Sequence, residues 1–256
     1  MSHIENYRNN EDYAQFLESW DSEFFAKYTD TLKEAAKTGK ILDVGCGVGQ
    51  VVKRLRDENI KAFGVDVSEP NIRQANQHIG FCNLYDGVSL PFGENEFDAV
   101  GAFNVLEHVD EPEAFIAELI RVLKPNGHLV ISSPNFLRVL GYRDYHPRMR
   151  GLVNKWRNGR RILQILNQIR TSPEEVRFER MAPIVKDPFT PDDDAIVVTN
   201  PIQMSYFAEK YGCRVKLIAC TDRHVSPVVE WGLNLPILKY LWFNSFIVAV
   251  KNSSPT

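Results

Sequence analysis

The strongest structural signal in this chain is the segment ILDVGCGVGQ, residues 41–50. Its first four residues form a short apolar run that is typical of a buried strand, and a glycine-rich turn and a helical pattern follow. Glycine has no Cβ, so a ligand can approach the backbone of this turn closely, beside the N-terminus of the following helix. The segment therefore predicts a binding site for a nucleotide-like ligand.

Further apolar runs alternate with helical patterns along the chain. Strands are predicted over residues 41–44, 62–66, 97–103, 128–133, 215–221 and 243–251, and helices over 51–59, 69–78, 111–123 and 201–211. This alternation predicts βαβ units, and continuous apolar runs indicate parallel strands that are buried on both faces. The predicted fold class is α/β, a doubly wound sheet with helices on both faces.

An acidic residue follows the second predicted strand. Asp66 comes about 20 residues after the glycine turn, where a carboxylate can accept hydrogen bonds from both hydroxyls of a ribose. A dinucleotide-binding dehydrogenase has glycines in the pattern GxGxxG, whereas this turn has GxGxG and Gln50 occupies the third glycine position. The spacing argues against a nicotinamide or flavin enzyme.

Four segments together resemble the class I S-adenosylmethionine-dependent methyltransferases, in the branch that acts on small molecules. ILDVGCGVGQ is similar to the first motif of that family, and GVDVSEPNIRQAN (64–76) to its second-strand segment. YDGVSLPFGENEFDAVGAFNVLEHV (85–109) is similar to its third motif and fourth strand, and RVLKPNGHLVISSPN (121–135) to its fifth strand. The resemblance covers roughly residues 40–135. It implies a Rossmann-like sheet of seven strands with the last one antiparallel, S-adenosylmethionine as cofactor and S-adenosylhomocysteine as product.

The resemblance also implies roles for single residues. Asp43 and the backbone of the glycine turn would hold the methionine portion, and Asp66 would bind the ribose. Asp86 with Gly87 would flank the adenine, and Asn104 would lie near the sulfonium. Asp86 could instead serve only its turn, and Asn104 could simply end its strand. The residues expected to bind the cofactor are Asp43, Gly45, Cys46, Gly47, Gly49, Asp66, Val67, Asp86, Gly87 and Asn104.

Two histidines are candidates for catalysis. Methyl transfer is an in-line displacement that mainly requires alignment of the nucleophile and exclusion of water, and only some acceptors need a general base. His108 lies just beyond the fourth predicted strand, at the edge of the sheet where such folds bind ligands, although it could instead help to start the next helix. His146 follows the fifth strand, and it could instead be a solvated loop residue.

Aromatic residues recur at helical spacing near the N-terminus. They predict a single amphipathic helix, whose aromatic face either packs on the core or also covers a ligand cleft. The residues are Tyr13, Phe16, Trp20, Phe24 and Tyr28.

We expect one domain over residues 1–256, made of four parts. Residues 1–38 form an N-terminal helical cover, 39–135 the cofactor-binding core, 136–200 an inserted cap or lid, and 201–256 the C-terminal part of the sheet. The cap is predicted because the βα rhythm stops there over a length that is unusual for a connection.

The predicted cap is rich in arginine. Three interpretations stay open: a solvated helical face that pairs with the acidic loop 192–194, a site for phosphate or carboxylate on an acceptor, or a basic amphipathic surface on a membrane. The arginines are Arg138, Arg143, Arg148, Arg150, Arg157, Arg160, Arg161, Arg170, Arg177 and Arg180.

Composition narrows the class of protein. The 256 residues include 30 basic and 33 acidic side chains, and a net charge of -3 implies no overall attraction to nucleic acid or anionic membranes. The four cysteines show neither disulfide-rich nor metal-binding spacing, so we expect reduced thiols and no metal. The N-terminus does not resemble a signal peptide, and no run is long enough for a membrane span. A cytoplasmic location is expected, and peripheral membrane contact stays open.

The predicted function is in-line transfer of a methyl group to a small-molecule acceptor, either anionic or linked to a lipid or sugar. Nucleic acid is not an expected partner, and the oligomeric state is undetermined. Two alternatives remain. One is a non-catalytic module that binds the cofactor or its demethylated product and contacts a partner through the cap. The other is a nicotinamide-dependent oxidoreductase, which the glycine spacing disfavours.

Overall fold

A computed structural model describes residues 3–141, 144, 146–184 and 193–253, with only the backbone of Asn6 and Ser22. Seven strands form one sheet in the order β3-β2-β1-β4-β5-β7-β6, in which β7 runs antiparallel to both neighbours. The strands are β1 (Lys40–Val44), β2 (Lys61–Asp66), β3 (Cys82–Leu84), β4 (Phe97–Phe103), β5 (Leu123–Pro134), β6 (Cys213–Ala219) and β7 (Asn244–Lys251). The predicted α/β fold class is confirmed.

Nine α-helices occur within the described residues. They are α1 (Glu5–Arg8), α2 (Glu11–Glu18), α3 (Ala26–Ala36), α4 (Gln50–Asp57), α5 (Glu69–His78), α6 (Pro112–Val122), α7 (Gly151–Thr171), α8 (Pro201–Lys210) and α9 (Pro227–Leu233). Short 3-10 helices cover Ser22–Phe25, Leu106–His108, Pro147–Met149, Pro173–Glu175 and Leu238–Tyr240. Among the described residues, no helix combines the length and apolar content that crossing a bilayer requires.

The sheet separates two layers of apolar packing. On one face, α6 and α8 bury Ile116 and Phe207 in a cluster that includes Phe97 of β4. On the other face, α3 and α4 bury Leu32 and Leu55 in a second cluster. Because both faces are covered, the central strands carry apolar residues at successive positions. This is why the apolar runs of the central strands could be recognised in the sequence.

Two details of the sheet differ from the sequence-based prediction. Strand β3 was not located, because it has three residues at the edge of the sheet and two of them are exposed. Strand β5 begins at Leu123 rather than near His128. Leu123 pairs with Phe97, and the pairing with β4 resumes at His128 after a register shift, so residues 124–127 lie inside this irregular strand.

The predicted N-terminal helix is broken into three pieces. Helix α2 ends at Glu18, the Asp21 carboxylate then accepts a hydrogen bond from the Glu23 N–H at 3.0 Å, and α3 begins at Ala26. A single helix was therefore a wrong prediction. Asp21 caps a new helix in an extended conformation, and side-chain capping of this kind competes with continuation of the helix. The break turns the aromatic residues before and after it toward different surroundings.

Residues 136–200 contain one long helix and extended segments. Helix α7 packs Ile162 and Ile165 against Phe136, and the buried Asn158 amide donates hydrogen bonds to two carbonyl groups of the segment after β5. Arg180 and Val197 form an isolated antiparallel bridge. This region is thus joined to the sheet by its own apolar cluster, and its treatment as a separate cap remains a prediction.

Gly101 gives a test of the packing between α3 and the sheet. A Cβ at this position would lie 2.1 Å from the Tyr28 hydroxyl oxygen, and Tyr28 is fully buried. We expect Gly101→Ala to lower the free energy of unfolding by about 1–3 kcal/mol through overpacking. Urea unfolding measures the change. Gly93→Ala is the matched control, because its Cβ would meet only Glu96 at 3.8 Å, and an equal loss in both variants would contradict the assignment.

Candidate active site

A cavity opens at the carboxyl ends of β1, β2 and β4, where ligands bind in doubly wound sheets. Its floor comes from the core of the sheet, and its roof comes from the N-terminal segment. Nine of the residues singled out in the sequence line it: Asp43, Gly45, Cys46, Gly47, Asp66, Val67, Gly87, Asn104 and His108. Gly49, Asp86 and His146 are not among the lining residues.

The glycine turn follows β1 with a left-handed backbone at Gly45, Gly47 and Gly49. A Cβ at Gly45 would lie 2.3 Å from a methyl carbon of Val105 and would also require an unfavourable φ of +74°. Gly49 has a packing role, because its Cβ would lie 2.8 Å from Ile79 of the segment after α5. The turn therefore needs glycine both for its conformation and for close packing.

Asp66 ties the end of β2 to the glycine turn. One carboxylate oxygen accepts the Gly47 N–H at 2.8 Å, and the other accepts the Ser68 N–H at 2.9 Å and the Asn71 amide at 3.2 Å. Burial raises the pKa of Asp66, and these hydrogen bonds oppose that rise. A carboxylate oxygen can accept two hydrogen bonds, so the oxygen bonded to Gly47 can accept one more from a ligand.

Asp43 is a buried carboxylate at the end of β1. The Tyr28 hydroxyl donates a hydrogen bond to it at 2.7 Å. Burial raises the pKa of Asp43 to about 7, although the hydrogen bond from Tyr28 acts in the opposite direction and the nearby Asp66 carboxylate adds to the rise. A cationic group bound beside Asp43 would restore its charged form.

The segment after β3 forms another side of the cavity. A Cβ at Gly87 would lie 2.5 Å from Ile4 and 3.2 Å from Val67, so these residues converge closely there. The exposed Asp86 carboxylate instead accepts the N–H groups of Val88 and Ser89, and these bonds hold the pKa of Asp86 below its usual range. The Asp86 side chain thus stabilises the turn, as the alternative to adenine binding proposed. A contact between Asp86 and adenine remains a prediction.

Asn104 stands at the end of β4 with a φ of +54°. Its N–H donates to the carbonyl group of Ser132 at 2.9 Å, which links β4 to β5. The side-chain oxygen is buried and has no hydrogen-bond partner among the described residues. A buried acceptor that lines a cavity and lacks a partner is available to a ligand.

The N-terminal segment closes over the glycine turn. The Gln50 side chain donates hydrogen bonds to the carbonyl groups of Leu17 at 3.1 Å and Trp20 at 3.3 Å, which fixes α2 to the start of α4. Tyr13 and Trp20 line the cavity, whereas Tyr28 is a core residue. The aromatic residues of the N-terminal segment therefore divide: Tyr13 and Trp20 cover the cavity, and Tyr28 packs in the core.

His108 belongs to a chain of polar contacts at the rim of the cavity. Its Nδ1 lies 3.1 Å from the Tyr7 hydroxyl oxygen, and that hydroxyl donates a hydrogen bond to Asp194. Tyr7 has a single hydroxyl proton, so Nδ1 must donate in the contact between the two rings. The Nε2 atom then carries the free lone pair. It lies 3.9 Å from a carboxylate oxygen of the buried Glu107, beyond hydrogen-bond distance.

Burial lowers the pKa of His108, and Asp194 partly opposes this by favouring the charged ring. The imidazole is therefore neutral near pH 7 and can accept a proton. His3 stacks on the same ring, with centroids 6.3 Å apart. Ligand atoms of His3, His108 and Asp194 also lie within 4.8 Å of one another, a spacing that could hold a metal ion.

His146 lies elsewhere. It is buried, its ring packs edge-on against Phe136 at 5.1 Å, and its Nδ1 accepts the Arg148 N–H at 3.2 Å as the cap of a 3-10 helix. His146 is therefore not the solvated loop residue that was the alternative to a catalytic role, and it does not line the cavity. The geometry thus gives His146 a structural role and no support for catalysis.

The cap arginines do not converge on the cavity. None of those that the structure describes lines it, and several pair with nearby carboxylates: Arg138 with Asp144, and Arg148 and Arg161 with Glu179. Arg143 and Asp192 lie outside the described residues. The predicted pairing of the cap arginines with the loop 192–194 therefore stays a prediction.

Tyr7 and Asp194 were not singled out as site residues. Tyr7 precedes the aromatic repeat, and Asp194 is the last residue of the acidic loop 192–194, so neither lies in a motif that indicates a site. Tyr7 and His108 are 101 positions apart in the sequence, and Tyr7 and Asp194 are 187 positions apart. Only the folded chain brings them together.

The fold and the cavity define a Rossmann-like protein with a pocket that suits a nucleotide-containing cofactor. Comparison with known proteins makes this more particular. Residues 42–131 match the family described as "Methyltransferase domain". Residues 42–131 thus carry the similarity to that domain, and these findings support a class I S-adenosylmethionine-dependent methyltransferase with S-adenosylmethionine as its cofactor.

Two curated relatives show where the similarity lies. The mitochondrial ubiquinone biosynthesis O-methyltransferase of Dictyostelium discoideum is 34% identical over 112 residues, 37% of this chain and 35% of the relative. The chloroplastic tocopherol O-methyltransferase of Arabidopsis thaliana is 30% identical over 116 residues, 42% of this chain and 33% of the relative. The matching region thus spans about a third of the length of these relatives.

A solved structure shows the likeness in fold. The S-adenosylmethionine-dependent methyltransferase of Mesorhizobium loti matches with a TM-score of 0.60 at 14% sequence identity, over 90% of this chain and 98% of that protein. At this identity the likeness is one of fold alone.

Replacing Asp66 tests the ribose assignment. We expect Asp66→Ala to weaken S-adenosylhomocysteine binding by about 1.5–3 kcal/mol, because a charged hydrogen-bond acceptor is lost. Isothermal titration measures the affinity. Asp57→Ala, which removes an exposed carboxylate at the end of α4, is the control and should bind normally. An unchanged affinity in the Asp66 variant would show that the ribose is bound elsewhere.

The raised pKa of Asp43 predicts a pH-dependent affinity. A bound ammonium group favours the ionised carboxylate, so below about pH 7 binding must release a proton from Asp43. Affinity for S-adenosylhomocysteine should fall by up to about tenfold per pH unit below 7 and level off above it. In the ligand-free chain the sign is opposite: the folded pKa exceeds the unfolded one, so this group makes folding more favourable as the pH falls through 7.

Titrations between pH 5.5 and 7.5 check this expectation. Asp43→Asn should bind more weakly at pH 7.5 and lose most of the slope, because the titrating group is gone. If the Asn variant keeps the full slope, Asp43 is not the group that titrates on binding.

Proposed function

We propose that this chain transfers the methyl group of S-adenosylmethionine to a hydroxyl group of an apolar small molecule, with His108 as general base. The observation that carries the proposal is the contact chain from His108 through Tyr7 to Asp194 on the wall of the cofactor cavity. It presents a neutral imidazole whose Nδ1 is engaged and whose Nε2 is free to accept a proton.

The described residues fit the cofactor. Two buried carboxylates, Asp43 and Asp66, line the cavity and suit the ammonium group of the methionine portion and the ribose hydroxyls. The unpaired Asn104 side-chain oxygen is a further acceptor beside them. Tyr85, Val67 and the backbone at Gly87 supply an apolar surface for the adenine. Bound S-adenosylmethionine supplies an electrophilic methyl group on a sulfonium.

The acceptor region of the cavity is apolar and aromatic. The residues of its roof and rear wall include Tyr13, Leu17, Trp20, Phe25 and Phe103. Such a lining favours a ring or hydrocarbon chain, and it offers a fixed anion no lysine or arginine among the described residues. The names of the two relatives, ubiquinone and tocopherol O-methyltransferases, support a hydroxyl acceptor on an apolar molecule. An anionic or sugar-linked acceptor has less support.

In this scheme His108 removes the hydroxyl proton as the acceptor oxygen attacks the methyl carbon. The new bond joins oxygen to carbon, the carbon–sulfur bond breaks, and the sulfur keeps the electron pair. The proton stays on Nε2, and the imidazolium is stabilised by Asp194 through Tyr7 and by Glu107. Tyr7 positions the ring, because its hydroxyl fixes the tautomer.

The N-terminal cover excludes water in this proposal. Helix α2 is held over the glycine turn by the two hydrogen bonds from Gln50, and Leu17 lies within 3.0 Å of the position that a Cβ on Gly47 would take. Exclusion of water protects the cofactor and strengthens the electrostatic contacts of the site. Under this proposal residues 1–38 are the cover, 39–135 hold the cofactor, and the acceptor enters beside Tyr7.

Location and partners remain expectations. We expect a small-molecule acceptor, no nucleic acid partner and a cytoplasmic location, while the relatives include a mitochondrial and a chloroplastic enzyme. Oligomeric state stays open.

His108→Gln tests the catalytic assignment. An acceptor screen with S-adenosylmethionine, including catechols and other phenols, first identifies a substrate. The variant should then lower kcat by roughly 10²–10⁴-fold with little change in cofactor affinity, because only proton removal is lost. His224→Gln is the matched control, since His224 is exposed and contacts Asp30.

The pH profile and a chelator separate the rival explanations. kcat/KM of the native chain should rise with pH through a pKa below the usual histidine value, since His108 must be neutral to act. Tyr7→Phe should shift this profile. Loss of activity with EDTA would instead favour a metal at His3, His108 and Asp194. Binding of cofactor without turnover of any acceptor would favour the non-catalytic module.

A further inference from the structure

Helix α7 has an unusual charge composition. Its 21 residues contain five cations, Lys155, Arg157, Arg160, Arg161 and Arg170, and no acidic residue. The whole chain carries a net charge of -3, so this positive charge is a local feature. A helix with one sign of charge produces a surface potential that attracts anions.

The outer face of α7 also exposes large apolar side chains. Leu152 is 85% exposed, Trp156 64% and Leu163 67%, although such residues are usually buried in a soluble domain. At about 100° per residue these three positions fall within about 40° of one another around the helix axis. They form a continuous stripe opposite Asn158, Ile162 and Ile165, which are the buried residues of the helix.

The cations divide between the two faces. Lys155 pairs with Asp144 and Arg161 pairs with Glu179, so the inner cations are neutralised within the protein. Arg157 donates only to Asn154, and the Arg160 guanidinium lies 4.7 Å from the centre of the Trp156 ring. Neither outer arginine pairs with a carboxylate of the described chain. The outer face therefore combines an apolar stripe with uncompensated positive charge.

We propose that the outer face of α7, defined by Leu152, Trp156, Arg157, Arg160 and Leu163, docks on an anionic phospholipid surface. Apolar residues enter the interface between headgroups and acyl chains, tryptophan prefers that depth, and arginines pair with lipid phosphates. Because Arg157 and Arg160 have no carboxylate partner among the described residues, this face favours an anionic surface.

A bilayer fits this face better than a nucleic acid. The aliphatic side chains Leu152 and Leu163 gain nothing from a phosphate backbone, whereas they are buried when α7 lies in a lipid interface. A neighbouring segment adds to the exposed apolar surface: Ile237 is 73% exposed, and it directly precedes the 3-10 helix whose Tyr240 packs against the α7 cluster.

The inference is independent of the proposed acceptor. Docking would hold the chain at a membrane whatever the chain methylates, and none of the residues of this face lines the cofactor cavity. Its failure therefore leaves the proposed function intact, and failure of the acceptor screen leaves the docking surface intact.

Vesicle sedimentation tests the proposal with the full chain. The native chain should pellet with vesicles of equimolar phosphatidylcholine and phosphatidylglycerol, and should stay in solution with phosphatidylcholine alone. Arg157→Gln with Arg160→Gln should weaken binding to the anionic vesicles roughly thirtyfold, at about fivefold per arginine. Leu152→Ser with Trp156→Ser should also weaken it, because two apolar side chains would no longer enter the lipid interface.

Each variant has a matched control on the edge strands of the sheet. Arg214→Gln with Lys216→Gln removes two exposed cations of β6, and Leu84→Ser with Leu217→Ser removes exposed apolar residues of β3 and β6. All variants should keep the native melting temperature and S-adenosylhomocysteine affinity.

Three outcomes would overturn the proposal. The first is no difference between the two vesicle compositions, and the second is an equal loss of binding in the controls. The third is a native dimer by light scattering that the Leu152→Ser and Trp156→Ser variant converts to a monomer, because the face would then be an interface between two copies.

Discussion

The hydrogen bond from Tyr28 to Asp43 joins the core to the cofactor cavity. It crosses from α3 to the end of β1 at 2.7 Å in a fully buried setting, and the absence of a Cβ on Gly101 makes room for the tyrosine ring. A buried carboxylate is costly unless it is hydrogen-bonded or neutralised. This contact therefore couples the position of α3 to the protonation of Asp43.

A second carboxylate extends this arrangement across the sheet. Asp66 accepts the Gly47 N–H, so the end of β2 fixes the conformation of the turn after β1. Gln50 then holds α2 over the same turn. The cofactor site is thus a layered structure, in which strand ends position the turn, the turn positions α4, and α4 positions the cover. Removal of an inner contact should disturb all the outer ones.

The candidate catalytic groups and the uncompensated positive charge lie in different parts of this molecule. The rim of the cavity holds His108, Tyr7 and Asp194, where burial keeps the imidazole neutral. The uncompensated positive charge lies on the outer face of α7, away from the cavity lining. An acceptor that is apolar would be presented by a membrane and methylated at the rim, and these two steps use different residues.

The sequence by itself determined the sheet, the glycine turn and the acidic residue after β2, because strand burial, turn geometry and their spacing are local properties of the chain. It missed β3, which is too short and exposed to show a pattern, and it joined α2 and α3, because the Asp21 cap acts through a single side chain. Only the tertiary structure decided that Tyr7 and Asp194 meet His108 and that Gln50 holds α2 over the glycine turn. Those outcomes depend on contacts between distant segments, which no local pattern encodes.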